Sequence, residues 1–134
     1  MSDSLITMRI VKYPLICLIV SLCAGQSLVA HEECDPREII FLAGTKSHGY
    51  GAHEHRAGSM LLAKCFNKSG LGVKADVVDE GAWPEGREMP DAIVMYCDGL
   101  KKHIGKAHQD KIQAWVDKGV GVSCLHFGVE VEKE

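Results

Sequence analysis

The chain has 134 residues, of which 46% are hydrophobic and 25% are charged, and its formal net charge is −3. This length and balance predict one globular domain and argue against a disordered or fibrous chain. Because the sequence has no block of lysine and arginine, nothing in it indicates a nucleic-acid partner.

The first thirty residues have the pattern of an export signal. Arg9 and Lys12 precede an apolar stretch over residues 13–25, and the segment up to Ala30 fits a cleavage site. The stretch is shorter than the ~20 apolar residues of a transmembrane helix. We therefore predict a signal peptide over residues 1–30, export to the periplasm or outside the cell, and no membrane attachment after cleavage. A membrane anchor is the alternative.

The remaining residues, 31–134, alternate between strand and helix patterns in the order β-α-β-β-α-β. Helices are predicted over residues 53–68 and near residues 108–119, and strands over residues 38–43, 73–79, 91–97 and 120–127. Continuous apolar strands of this kind are typical of a parallel sheet covered by helices. The segment between Asp79 and Pro90 is too short for a full covering helix, so we expect a short or extended crossover there.

Most of the histidines are predicted to lie at one edge of this sheet. Ligands of open α/β sheets bind beyond the carboxyl ends of the strands, and Asp98 ends the third strand at that edge. It is either a carboxylate that orients a ligand hydroxyl or part of a plain Asp-Gly turn. Six of the seven histidines map to the same edge: His48, His53, His55, His103, His108 and His126. We predict that they contribute to a shared site.

The loop "GTKSHGYGAHEHRAG", residues 44–58, does not match a nucleotide site. Gly44 and Gly49 have the spacing of a phosphate-binding loop, but Tyr50 and Gly51 replace its Lys and Ser/Thr. A dinucleotide fingerprint fails as well, because Glu54 stands where the third glycine belongs and would repel a phosphate. Imidazole can bind zinc or copper, but no H-E-x-x-H pattern is present. We therefore predict no cofactor and assign no metal ligands.

The stretch "GVGVSCLHFG", residues 119–128, combines a strand with a turn that carries reactive side chains. Cys124 suggests the nucleophile elbow of class I glutamine amidotransferases, but Val122 and His126 occupy the glycine positions of that motif. Cys124 is expected inside the strand and His126 nearer the turn, which argues against a glutaminase. If the strand order is 2-1-3-4, Cys97 and Cys124 end neighbouring strands. We expect free buried cysteines there, with a disulfide or a shared redox site as the alternatives.

Several of these stretches together resemble the ThuA-like (trehalose utilisation) family. They are "IIFLAGTKSHGYGAHEHRAGSMLLAKCFNKSGLGVKADVV", "WP", "DAIVMYCDG" and "GVGVSCLHFGVEV", and the similarity covers roughly residues 37–131. The resemblance implies a flavodoxin-like, three-layer α/β sandwich of the class I glutamine amidotransferase superfamily. It also implies a role in sugar metabolism, notably of trehalose or oxidised (3-keto) disaccharides.

The family resemblance also assigns roles to residues at the strand edge. His48 and His53 match its loop, Asp98 the end of strand three and His126 the turn after strand four, with Glu130 as a partner. A sugar site of this kind would use histidine as acid or base near neutral pH. We assign catalysis to His126, His48 and Glu130, and sugar binding to His53, Asp98 and His103.

Domains of this family normally continue about as far again beyond Glu130. We therefore expect the chain to hold only the N-terminal portion of the domain. Strand four would then be an exposed sheet edge, which can template pairing and could form a homodimer. A non-catalytic carbohydrate-binding or interaction module, an inactive fragment and a metal-binding exported protein are the alternatives to a sugar-active enzyme.

Overall fold

A computed structural model describes residues 35–130 and residue 132. The predicted signal peptide, residues 1–30, lies outside the described residues. The regular elements in chain order are β1 (Arg37–Ala43), α1 (His55–Lys68), β2 (Val73–Val78), β3 (Ala92–Tyr96), α2 (Gln109–Val116) and β4 (Gly121–Leu125). Three short 3-10 helices span Leu100–Lys102, Ile104–His108 and His126–Val129.

The four strands form one parallel sheet in the order β2-β1-β3-β4. This confirms the predicted α/β class, and the arrangement is that of a flavodoxin-like domain. The order brings the carboxyl ends of β1 and β3 side by side, with Ala43 opposite Tyr96. The loops that follow these two strands therefore begin at the same edge of the sheet, as expected for a ligand site.

The sheet buries apolar side chains on both faces. The strand β1 is central, and its residues Ile40 to Ala43 are all at most 2% exposed. Alternation of side chains along a strand sends neighbours to opposite faces, so Phe41 packs with Ala63 of α1 while Ile40 and Leu42 pack on the other face. Trp115 of α2 closes that second face. The result is a sheet between two layers.

The connection from β2 to β3 contains no helix, as predicted. Gly81 donates its N–H to the Ala43 carbonyl at 2.8 Å, which holds the connection against the end of β1. Trp83 then packs on Trp115, with ring centroids 4.7 Å apart. Two aromatic rings thus cover the sheet where a crossover helix would otherwise lie.

The boundaries of two elements differ from the predicted ones. The helix α1 begins at His55, two residues later than predicted, because His53 has a φ of 51° and cannot belong to a right-handed helix. The strand β4 ends at Leu125 because His126 has a φ of 60°. Both differences place a histidine in a turn at the strand edge.

The strand β4 is an edge strand of the described sheet, and its first three residues are exposed. Val122 is 42% exposed. Pairing of this edge with a second copy stays a prediction. Within residues 35–130 and 132, no helix combines the length and apolar character needed to cross a bilayer.

Candidate functional site

Three separate segments of the chain bring four histidines and one carboxylate together. We call these residues the histidine cluster: His48 and His53 from the loop after β1, His55 from the start of α1, His126 after β4, and Asp98 after β3. The Asp98 Oδ1 atom lies 2.9 Å from His53 Nδ1 and 3.6 Å from His55 Nε2. The cluster lies where the parallel sheet places its ligand edge.

Asp98 is the residue that joins the cluster, and its side chain is only 13% exposed. Burial by itself raises the pKa of this carboxyl, because it disfavours the charged form. Hydrogen bonds from Ser47 and His53, together with the charges of His55 and His53, outweigh burial and hold the Asp98 pKa below its usual value. The carboxyl is therefore negatively charged at neutral pH.

His55 is the most deeply buried member of the cluster, at 1% exposure. Its Nδ1 lies 3.3 Å from the Thr45 carbonyl oxygen, and a carbonyl can only accept a hydrogen, so Nδ1 donates. Its Nε2 has no hydrogen-bond partner among the described residues. The Tyr96 ring packs edge-on against the imidazole at 5.3 Å. A buried polar atom without a hydrogen-bond partner lowers the stability of the fold, so the unpartnered Nε2 of His55 is an unusual feature of this structure.

His48 and His53 form the outer part of the cluster. Their rings are 3.9 Å apart, and Ser47 Oγ lies 2.8 Å from His48 Nδ1 and 3.2 Å from His53 Nδ1. His53 donates from Nδ1 to Asp98 and is partly buried, whereas His48 is exposed. His48 is thus the histidine of this pair that a ligand can reach from solvent.

His126 lies on the turn immediately after β4. Its ring is 4.8 Å from that of His53 and 5.9 Å from that of His55. A left-handed φ costs a residue with a Cβ about 1–2 kcal/mol, and His126 keeps this conformation at a φ of 60°. Such strained turns cluster at functional sites. The structure confirms that His126, rather than Cys124, lies at the turn.

The turn that carries His126 is held against the loop after β3. A Cβ added at Gly99 would lie 2.3 Å from the Phe127 carbonyl oxygen and 2.7 Å from that of Glu130. Leu100 donates its N–H to the same Glu130 oxygen at 2.9 Å. Only glycine permits this close approach, so Gly99 positions the turn.

Cys124 lies within β4, as expected, and its position does not favour a thiolate. Burial raises the pKa of the Cys124 thiol, and burial is also the largest cause of the raised pKa of Cys97. Both cysteines are free. A thiol nucleophile needs a lowered pKa, so the reactive groups of this edge are the imidazoles and the carboxylate.

The structure brings four of the six assigned site residues together and places two elsewhere. Glu130 has an exposed side chain and belongs to neither of the two His/Asp groups whose ligand atoms converge. His103 is 8% exposed and has both ring nitrogens engaged: Nε2 donates to the Gly128 carbonyl at 2.8 Å, and Nδ1 accepts from Gly105 N–H at 3.0 Å. His108 packs instead on Trp83, at 5.0 Å.

A small cleft adjoins the cluster at the start of α1. It has a volume of about 170 Å³ and is lined by both polar and apolar groups: Gly44, Lys46, His53, Glu54, His55, Arg56, Ala57, Met60 and Glu80. Lys46 and Glu54 pair across its rim at 3.3 Å. The Gly51 N–H and Lys46 hold the pKa of Glu54 below its usual value. Charges of both signs at the mouth suit a polar, uncharged ligand.

Comparison with protein-family models, curated proteins and solved structures finds no match for this chain. The resemblance to the ThuA-like family thus has no support from these comparisons.

Sequence reasoning placed His55 at the correct edge but assigned it no role. The positive φ of His53 keeps it out of the helix, and the rings of both His53 and His55 lie close to Asp98. Ser47 and Tyr96 were also not assigned to the site. The one available signal was their position in the chain, since Ser47 precedes His48 in the loop after β1 and Tyr96 ends β3 two residues before Asp98.

Proposed function

We propose that this protein acts on a small sugar, of the kind handled by the ThuA-like family, and uses histidine as acid and base at the carboxyl edge of its sheet. The observation that carries the proposal is the convergence of four imidazoles on the single carboxylate of Asp98, with His53 at 2.9 Å and His55 at 3.6 Å. Imidazole exchanges protons near neutral pH, which is the requirement for general acid–base catalysis.

The members of the cluster divide into buried and accessible groups. Asp98 stays charged and orients His53, so these two residues fix the site. His48 and His126 are exposed and carry the imidazoles that a ligand can meet. We therefore assign proton transfer to His48 and His126, and binding of sugar hydroxyls to Asp98 and His53.

The adjoining cleft supports a small ligand. Its volume of about 170 Å³ is below the ~300–1,000 Å³ of typical small-molecule pockets. A single sugar ring fits this scale better than a large substrate does. Oxidised disaccharides, which the family resemblance suggests, could place one ring in the cleft and leave the other in solvent.

Export through residues 1–30 and pairing through β4 are part of the same proposal.

The test compares turnover and binding in the full chain. Trehalose and its 3-keto derivative are followed by NMR for conversion and by calorimetry for binding. The variant is His126→Asn, because asparagine tolerates a positive φ. The matched control is His108→Asn, which changes a histidine outside the cluster.

General acid–base groups contribute about 10²–10⁴-fold to rate, so we expect His126→Asn to lose about 100-fold or more in turnover while sugar binding persists. The control variant should behave as the original chain. Binding without any turnover in the original chain would overturn the catalytic part and indicate a carbohydrate-binding module. Absence of both binding and turnover would refute the sugar proposal.

A further inference from the structure

We propose that His55, Asp98 and His126 form a binding site for a divalent transition-metal ion of the zinc type. Among the described residues, one ligand atom from each lies within 4.8 Å of the others. The inference adds a metal to the sugar site and rests on the proposed function for the use of that metal. The existence of the metal site is nevertheless measurable without any sugar.

The buried Nε2 atom of His55 supports a metal ion at this position. Because Nδ1 donates to the Thr45 carbonyl, Nε2 is the ring atom left to act as a metal ligand. Nε2 lies 3.6 Å from Asp98 Oδ1, which is too long for a hydrogen bond. A metal ion bound between the two atoms would give the buried nitrogen a partner, which it lacks among the described residues.

The surroundings of the two inner ligands have the form of a second coordination shell. Metal-binding histidines almost always donate their other N–H to a carbonyl or carboxylate, and metal-binding carboxylates accept further hydrogen bonds. His55 donates to Thr45, and Asp98 accepts from His53 at 2.9 Å. Both ligands are therefore oriented before any ion arrives.

The distances suit tetrahedral coordination. Zinc lies about 2.0–2.1 Å from nitrogen and about 2.0–2.2 Å from oxygen, so two ligands of a tetrahedron are roughly 3.4 Å apart. The 3.6 Å separation of His55 Nε2 and Asp98 Oδ1 is close to that value. His126, which is exposed on its turn, has to move its ring inward by a small amount.

A second group, His48, His53 and Asp98, also converges within 4.8 Å. Its inner nitrogen, His53 Nδ1, is already used in the hydrogen bond to Asp98. A metal ion bound at this nitrogen would break the bond, whereas binding at His55 uses a nitrogen that has no partner among the described residues. The geometry therefore favours the group with His55 and His126.

Two imidazoles and a carboxylate favour zinc, copper, iron or nickel over calcium and magnesium. Three protein ligands leave a fourth position for water or substrate, which is the usual form of a catalytic zinc site. The metal would supply a Lewis acid for a sugar oxygen. His126 would then be a ligand, and His48 would remain as the group that transfers protons.

The full chain is first treated with a chelator and then titrated with Zn²⁺ by calorimetry, which measures the affinity. A parallel titration with Co²⁺ is followed by visible absorption, which reports the geometry of the ligands. The ligand variants are His126→Asn and Asp98→Asn. The matched controls are His108→Asn, outside the cluster, and His48→Asn, in the competing group. Circular dichroism checks that each variant folds, and His126→Asn keeps the test valid if Asp98→Asn does not.

We expect one ion per chain and tetrahedral Co²⁺ absorption. Loss of a second-shell partner costs about 10–100-fold in metal affinity, so loss of His126 or Asp98 should cost at least as much. Both controls should retain binding. No binding, or weaker binding on loss of His48 but not His126, would overturn the site.

The metal result and the sugar result can be separated. Zinc binding without any effect on sugar binding or turnover would support the metal site and leave the sugar proposal to fail by itself. Sugar turnover that persists in chelator-treated protein, with no zinc bound, would support the sugar proposal and refute the metal site.

Discussion

His103 is predicted to stabilise the fold by joining two segments, in place of binding substrate. Its imidazole accepts a hydrogen from Gly105 and donates one to Gly128. His103→Leu leaves both backbone groups buried without a partner. Each such group costs about 1–3 kcal/mol, so the two together lower the free energy of unfolding by about 2–6 kcal/mol. This is a large part of the ~5–15 kcal/mol that a native protein has.

Two further variants separate the two hydrogen bonds. The side-chain oxygen of His103→Asn can replace Nδ1 as the acceptor for Gly105, whereas the longer amide of His103→Gln can replace Nε2 as the donor to Gly128. Each is expected to lose about half as much stability as His103→Leu, or about 1–3 kcal/mol. The measurement is urea unfolding of the full chain followed by circular dichroism, and the slopes should agree if only stability has changed.

His108→Leu is the control, because that ring contacts Trp83 and should lose only the ~0.5–1.5 kcal/mol of an aromatic contact. The reasoning is refuted if His103→Leu unfolds at the same urea concentration as the original chain. Loss of sugar binding at unchanged stability would show instead that the predicted substrate-binding role of His103 is right.

Three other changes test the site from different directions. Gly99→Ala should destabilise the chain by about 1–3 kcal/mol, as overpacking does, whereas Gly49→Ala, which has open space around its Cβ position, should not; equal unfolding midpoints would contradict the close contact. The Asp98 pKa is lowered in the fold, so its contribution is present above the unfolded value of about 3.9 and is lost as pH falls through the folded value. Asp98→Asn should therefore give a shallower loss of stability in acid, and an unchanged acid limb would refute this. His126→Gly should raise the free energy of unfolding by up to about 1 kcal/mol, because glycine takes the positive φ without strain. The same variant should lose turnover. A clearly lower melting temperature would show that the turn is not strained.

The fold could be predicted because the apolar runs were nearly continuous. Strand β1 has four consecutive buried residues, Ile40 to Ala43, and such a run predicts a central parallel strand. The order 2-1-3-4 was considered only as a condition for Cys97 and Cys124 to end neighbouring strands, and the structure has that order. The start of α1 was predicted two residues too early, because no sequence pattern indicates that His53 takes a positive φ.

The site was only partly predictable, because its contacts depend on side-chain geometry that spacing does not give. Asp98 was identified by its position at the end of β3, and the structure places it at the centre of the cluster. His55 was passed over because helical periodicity assigns a side chain to a face but says nothing of a carbonyl such as Thr45 within reach. His103 was assigned to the site by its position, although two backbone groups occupy its ring.

Two of the histidines around Asp98 hold positive φ angles, His53 at 51° and His126 at 60°. Asparagine or glycine would relieve such turns at little cost if they were only connections. A histidine at each position keeps strain of about 1–2 kcal/mol per residue and directs an imidazole towards the same buried carboxylate. Gly99 allows the close approach that holds one of these turns in place. The two strained histidines thus lower the stability of the chain at the positions where their rings approach Asp98. A site that binds a sugar or a metal ion accounts for this better than a plain loop does.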